Sequence, residues 1–326
     1  MKEDAAPVFV LGAARSGTTW LAKILDSHPD VLYRHEPDID RRPPETLPPV
    51  VEAGDVPAHL AQAGAYFRSL LDVRTLKSVG SLPVFAKSWD PPLGRLMRAG
   101  LVYAMKAASR LPGLARPLRR VSLPAFGTPP RKGLVPVVKT VSQLGRSALL
   151  VAALPEARFV LLIRHPCGQV DSQLRGLTAG AFEDHDSIQH LPAVREPRRY
   201  GVDPETFPSL TLAERLAWGW RINNTLALEA LGPCSRAMVL RYEDLCADPM
   251  THVRALLDFL GLAWHRNVEC FLRASTREDG SDRYFSIMRN SADAPNRWRT
   301  SLPEETQRQV LAIAAGSRPG LLFDLA

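Results

Sequence analysis

The sequence predicts an α/β fold with a central, mainly parallel sheet flanked by helices, and two observations carry that expectation. Short, nearly continuous apolar runs alternate along the chain with longer segments whose apolar residues recur every three or four positions. A strand buried on both faces needs the first pattern, and a helix covering a sheet needs the second. The 326 residues, 45% hydrophobic and 23% charged, suffice for one large domain with a full core and exclude a disordered or collagenous chain.

The first run, "PVFVLG" (7–12), enters a turn bracketed by Gly12 and Gly17 and then a helical pattern, "TTWLAKILDSH" (18–28). A Gly-rich link between strand and helix gathers backbone N–H groups at the positive end of the helix dipole, which suits phosphate or sulfate. The spacing from Gly12 to Thr19 nearly fits GxxxxGK[ST], with Thr18 where a nucleotide-triphosphate loop carries lysine. Further strands are predicted at "LVPVVK" (134–139), "RFVLLI" (158–163) and "RAMVLRY" (236–242). Helices are predicted at "SQLGRSALLVAAL" (142–154), "LAERLAWGWRINNTLALEAL" (212–231) and "DPMTHVRALLDFLGL" (248–262), the last with Gly261 placed for an αL cap. Prolines cluster in "RRPPETLPP" and "FGTPPRKG" and mark irregular connections. Ligands of open parallel sheets bind at the carboxyl ends of the strands. The turn after Gly12, Lys139 and the segment from Arg164 therefore share one basic rim, which predicts a polyanionic ligand.

The net charge of +7 suits a polyanion, a nucleic acid or a membrane surface alike. The chain lacks the aromatic-interleaved basic strand or helix-turn-helix of a nucleic-acid reader, so no nucleic-acid partner is expected. No apolar stretch reaches the roughly 18–20 residues of a membrane span, and Met-Lys-Glu-Asp opens no signal-peptide pattern, so a cytoplasmic protein is expected. Cys167, Cys234, Cys246 and Cys270 show no CxxC spacing, and no HxxE or HExxH occurs, so reduced thiols and no metal are expected.

In order along the chain, "GAARSGTTWL", "LDSHPDV", "EP", "LLIRHPCGQVDS" and "LRYEDL" resemble the sulfotransferase family, from Val8 to about Trp298 and least closely between Arg41 and Leu134. The resemblance implies a three-layer P-loop-like fold and a single sulfotransferase domain over 1–326. It also implies 3′-phosphoadenosine 5′-phosphosulfate (PAPS) as the sulfuryl donor, with no metal. Gly12, Arg15, Ser16, Gly17, Thr18 and Thr19 would then cradle the 5′-phosphosulfate, and a donor without β,γ-phosphates dispenses with the lysine that Thr18 replaces. Arg164 and, two helical turns on, Ser172 match the pair that holds the 3′-phosphate, where a guanidinium gives bidentate contacts. Near the C-terminus, "NRWRTSLP" resembles the segment closing over the nucleotide, which makes Arg297 or Arg299 a ligand and Trp298 a packing or stacking partner. Tyr242 matches a position near the nucleotide, and a core tyrosine accounts for it equally well.

In-line sulfuryl transfer to a hydroxyl builds negative charge on the bridging oxygen and the transferred group, so cations must surround it. Arg15 and Lys139 are the candidates. Arg15 stands where cytosolic members usually carry lysine and carbohydrate or tyrosyl-protein members carry arginine, and Val141 stands where many cytosolic members have a histidine base. Glu36 in "YRHEPD" resembles the glutamate base of the arginine-type enzymes, and the acceptor is expected to be a hydroxyl on a small molecule, sugar or lipid. His35 is a second candidate base, and a turn glutamate fixed by Pro37 is the structural alternative for Glu36. His28 and His165 read as turn or helix-start residues.

From Pro91 to Pro155 the chain has no Asp or Glu, while Arg95, Arg98, Lys106, Arg110, Arg116, Arg119, Arg120, Arg131 and Lys132 interleave with aliphatic residues. A basic helical insertion is expected at about 91–132. It suits peripheral contact with an anionic membrane, a cover for the donor site or an acidic acceptor, and equally a solvated helix packed by its apolar face. Two rival functions stand beside sulfuryl transfer. A P-loop kinase or nucleotidase is opposed by Thr18, and a non-catalytic module binding adenosine bisphosphate would not need Arg15, Lys139 and Glu36 together.

Overall fold

The computed structural model describes residues 6–111, 117–118, 121–124, 133–179, 197–276 and 294–325. Five strands, β1 (Val8–Leu11), β2 (Val31–His35), β3 (Val135–Thr140), β4 (Arg158–Ile163) and β5 (Ala237–Arg241), form one sheet in the order β2-β3-β1-β4-β5. Every neighbouring pair is parallel. The two-residue period of β1 sends Phe9 and Leu11 into one core with Phe67, Phe159 and Trp220. Val8 and Val10 enter the other, with Trp20, Ile24, Val137 and Leu162. Burial on both faces is why the central strands read as unbroken apolar runs.

Helices Val56–Ser69, Ser147–Ala153 and Leu212–Leu231 cover the first face. Thr18–Asp26, Pro249–Leu260 and Arg266–Ser275 cover the second. A capping box of Thr211 and Glu214 starts the long Leu212–Leu231 helix, and Gly261, at φ 71°, ends Pro249–Leu260 in the expected αL conformation. The expected helix at 142–154 starts later, at Ser147, after a 3₁₀ turn over Leu144–Arg146. The edge strand β2 lies outside the sequence expectations. Its "VLYRH" alternates little and ends in two basic residues, so it carries no clear strand signal.

Within the expected basic insertion, Pro92–Ala108 is a 17-residue helix. Val102 and Met105 anchor it to Leu76 and Leu123 in a small separate cluster. Arg116, Arg119, Arg120, Arg131 and Lys132 lie outside the residues whose side chains are described.

Because the strands all run one way, their carboxyl ends share one edge, and each delivers a different group there. The glycine-bracketed loop follows β1, Glu36 follows β2, Lys139 closes β3, Arg164 follows β4 and Tyr242 follows β5.

Candidate functional site

The loop after β1 is held by steric constraint. Arg15 and Gly17 both take positive φ, 72° and 98°, and for arginine that region is sparsely populated. A Cβ at Gly17 would sit 2.4 Å from the Tyr242 ring, and one at Gly12 would sit 2.6 Å from the Leu162 carbonyl oxygen. The loop therefore lies flat on Tyr242 and on the end of β4. Gly17 precedes the helix Thr18–Asp26, whose first N–H groups open toward the rim. Ser16 and Thr18 are buried, whereas Arg15, Gly17 and Thr19 are partly exposed. Ser16 donates its N–H to the Ala13 carbonyl at 3.1 Å, and its Oγ is buried without a partner among the described residues.

The register of β2 against β3 sets His35 opposite Lys139, which brings the next residue, Glu36, onto the lysine. Lys139 Nζ donates to Glu36 Oε1, and the Glu36 N–H donates to the Lys139 carbonyl at 2.8 Å. Lys77, from the short helix Leu76–Val79, approaches Glu36 Oε2 at 3.0 Å. Glu36 itself holds φ 44°, with Pro37 opening a short helical turn behind it. Burial pushes the Glu36 carboxyl up, but Lys139, His35, Lys77 and the hydrogen bond from Lys139 outweigh it and hold it well below the usual carboxylate range. Burial, then the Lys139 charge, push the His35 imidazole down to about 3. His35 is therefore neutral at pH 7, with Nδ1 2.8 Å from the Tyr33 hydroxyl.

On the other side of β1, Arg164 Nη1 donates to the Arg15 carbonyl at 3.2 Å and Nη2 to the Ala294 carbonyl at 2.9 Å. Its guanidinium lies 4.8 Å over the Tyr242 ring, and its Nε is buried without a partner among the described residues. Arg15 Nε donates to Ser172 Oγ at 3.1 Å. This turns Arg15 toward the β4 side of the loop, whereas Glu36 and Lys139 meet on the β2–β3 side. Tyr242, 7% exposed, is both a core residue and the floor beneath Gly17 and Arg164.

The C-terminal segment docks on the same edge. Trp298 is buried and stacks on the His165 ring, with centroids 4.6 Å apart and an interplanar angle of 8°. Burial, then Arg299 and Arg164, push the His165 imidazole down to about 4. Arg297 and Arg299 are exposed, with the Arg299 guanidinium 4.7 Å from the Trp298 ring. His28 ties a turn, accepting from the Asp30 N–H at 3.1 Å with Nδ1 and meeting the Ala263 carbonyl at 2.9 Å with Nε2. Among the described residues no His, Cys, Asp and Glu cluster is arranged for a metal.

Among the described residues, sequence reasoning missed Lys77 on this rim, because it comes from a four-residue helix that carries no motif. A cavity of about 80 Å³ lies elsewhere, beside β2, lined by Tyr33, Lys87, Asp90 and Arg98 among others and by neither Glu36 nor Lys139.

The model of the "Sulfotransferase family" matches residues 7–266. Human carbohydrate sulfotransferase 5 is 23% identical over 334 aligned residues, covering 97% of this chain and 77% of that protein. Mouse carbohydrate sulfotransferase 7 is 38% identical over 83 residues, which are 24% of this chain and 17% of that protein. Among solved structures, the sulfotransferase domain of the Synechococcus PCC 7002 olefin synthase superposes with a TM-score of 0.47 at 18% identity, covering 100% of this chain and 97% of that one. Mouse sulfotransferase SULT7A1 complexed with PAP gives 0.43 at 11% identity, covering 98% and 87%. With a family match that runs from the start of β1 through β5 and the helix behind it, the chain belongs to the sulfotransferase family and is an enzyme of that class.

Proposed function

We propose that this sulfotransferase moves the sulfuryl group of PAPS onto a hydroxyl of a sugar, lipid or other small molecule, with Glu36 as general base and Arg15 and Lys139 stabilising the transferred group. The observation that carries the reading is the Glu36–Lys139 pair on the rim beside the loop. The acceptor oxygen attacks sulfur, the bond from sulfur to the phosphate oxygen breaks, and the proton passes to Glu36. The nucleotide leaves as 3′,5′-adenosine bisphosphate.

Paired as it is, Glu36 is ionised and weakly basic. Sulfuryl oxygens arriving at the rim compete for Lys139, and a lysine turned toward them no longer holds the carboxyl low. Glu36 then gains basicity while the donor is in place, with Lys77 keeping Oε2 positioned. For the nucleotide, the Arg164 guanidinium and Ser172 hydroxyl would take the 3′-phosphate, and Arg15, Gly17 and Thr19 would face the phosphosulfate. The Arg164 Nε and Ser16 Oγ, buried without partners among the described residues, fit a polar ligand on this edge. Tyr242 supports the loop from below, and the exposed Arg297 and Arg299 border the nucleotide from the docked C-terminal segment. The relatives named as carbohydrate sulfotransferases favour a sugar hydroxyl as the first acceptor to test.

The test is calorimetric titration of metal-free protein with 3′,5′-adenosine bisphosphate and with ATP. Binding of the bisphosphate at least tenfold tighter is expected. Preference for ATP, strengthened by magnesium, would overturn the donor assignment and favour a kinase or nucleotidase.

A further inference from the structure

We infer that the helix Pro92–Ala108 seats the protein on the surface of an anionic phospholipid bilayer. The helix is apolar on two sides. Its inner side carries Val102 and Met105, buried against Leu76 and Leu123. Its outer side carries Leu93 at 69% exposure, Leu96 at 70%, Met97 at 54% and Tyr103 at 53%. At about 100° per residue these four, with Gly100 and Ala107 between them, fill a sector of about 120°. Scattered exposed apolar residues are ordinary on a soluble protein, but a continuous stripe marks a contact surface.

Charge identifies what the stripe contacts. Arg110, just past the helix end, is exposed at one edge of the stripe, and Arg95 is exposed further round on the same side. Arg98 is engaged inside, 2.5 Å from Asp90 Oδ2. No Asp or Glu occurs from Pro91 to Pro155, so nothing acidic on this segment opposes the exposed cations. An apolar stripe with a cation at its edge, on a segment without acidic residues, is complementary to acyl chains beneath anionic headgroups. Tyr103 brings the amphipathic ring favoured at that boundary. The 17-residue helix is about 25 Å long and lies along the surface. Among the described residues no helix is long and apolar enough to cross a membrane. The inference stands apart from the sulfuryl-transfer reading and survives its failure.

The test is co-sedimentation of the full chain with vesicles of phosphatidylcholine alone or with about 30% phosphatidylglycerol, supported by Tyr103→Trp emission. Partitioning at least tenfold stronger on the anionic vesicles and a blue shift of the new tryptophan are expected. Leu96→Glu should reduce partitioning tenfold or more, and Arg110→Glu about fivefold, with melting temperatures unchanged because both side chains are exposed. Failure of the parent to bind anionic vesicles, equal binding to both compositions, or full binding by Leu96→Glu would overturn the inference. So would a parent dimer in light scattering that Leu96→Glu dissolves and vesicles do not displace, which would assign the stripe to a second copy of the chain.

Discussion

Two buried clusters in this molecule share one composition, a carboxylate between two lysines, yet only one lies on the rim. Asp26, ending the helix Thr18–Asp26, sits 2.6 Å from Lys23 Nζ and 2.9 Å from Lys87 Nζ. Lys23 also donates to the carbonyls of Ser81 and Pro83 at 3.0 and 2.7 Å, and Lys87 donates to those of Asp26 and His28. Each ammonium has three N–H donors, and here each has three acceptors. In the Glu36 cluster, Lys139 is just as buried, with its side chain 2% exposed, but Glu36 is its acceptor and no second one occurs among the described residues. Composition does not separate a structural ion cluster from a working one. The two clusters differ in saturation, and in the proposed reading a buried ammonium short of acceptors takes a ligand that brings them.

Crossed substitutions give the largest effect and the sharpest test of that contrast. Glu36→Gln should lower kcat by about 10²–10⁴ while leaving the affinity for 3′,5′-adenosine bisphosphate within about threefold. Asp26→Asn leaves two buried cations short of their counter-charge and should cost about 3–5 kcal/mol of stability, read as a lower denaturant midpoint, with nucleotide affinity per folded molecule unchanged. The same stability loss in both variants, with full turnover in Glu36→Gln, would erase the distinction.

A smaller effect should come from the β4 side. Arg164→Ala should weaken bisphosphate binding about 10–100-fold, and Ser172→Ala, which removes one neutral donor, about fivefold. Titration calorimetry separates the two, and an Arg164→Ala variant that binds like its parent would remove the 3′-phosphate from this pocket.

The smallest effect is a pH profile that stays level. Because the folded-state pKa of Glu36 lies below its unfolded value, its pairing stabilises fully above the ordinary carboxylate pKa of about 4.3 and is lost as pH falls through the folded value. His35, pushed down to about 3, does not ionise above that range either. The value of kcat/KM, which reports the free enzyme, should therefore show no limb from Glu36 or His35 between pH 5 and 8. An acid limb near pH 6.5 that disappears in His35→Asn would transfer the base role to His35.

What was legible in the sequence follows the continuity of apolar runs. The strands β1, β3 and β4 and the glycine-bracketed loop could be read because a doubly covered strand favours apolar residues and Gly17 has a tyrosine ring in the place of a Cβ. The partly buried edge strand β5 could be read because "AMVL" is still an unbroken apolar run. The strand β2 was not legible, since Arg34 and His35 break its apolar run, and the burial of Arg34 depends on tertiary hydrogen bonds such as that to the Leu71 carbonyl. Glu36 was recognised through family resemblance and not through spacing, because its meeting with Lys139 depends on the register of that edge strand. Lys77 and Lys87 arrive from segments without any motif, and Lys23 reads as an ordinary helix lysine although it is fully buried. The turning of Arg15 toward Ser172 is a tertiary contact across 157 positions that no local pattern encodes.

The parallel ladder also acts as a measuring scale. Lys139 meets Glu36 because β2 and β3 are indexed residue by residue, in steps of about 3.3 Å. Deleting one residue inside β3 would not move the ammonium by one small step; it would invert every following side chain and drive the cation into the apolar layer. Insertions in the connections at the opposite edge would leave that alignment intact. The enzyme can thus vary widely in its connections, while the backbone pitch admits one reading of the frame that joins Glu36 to Lys139.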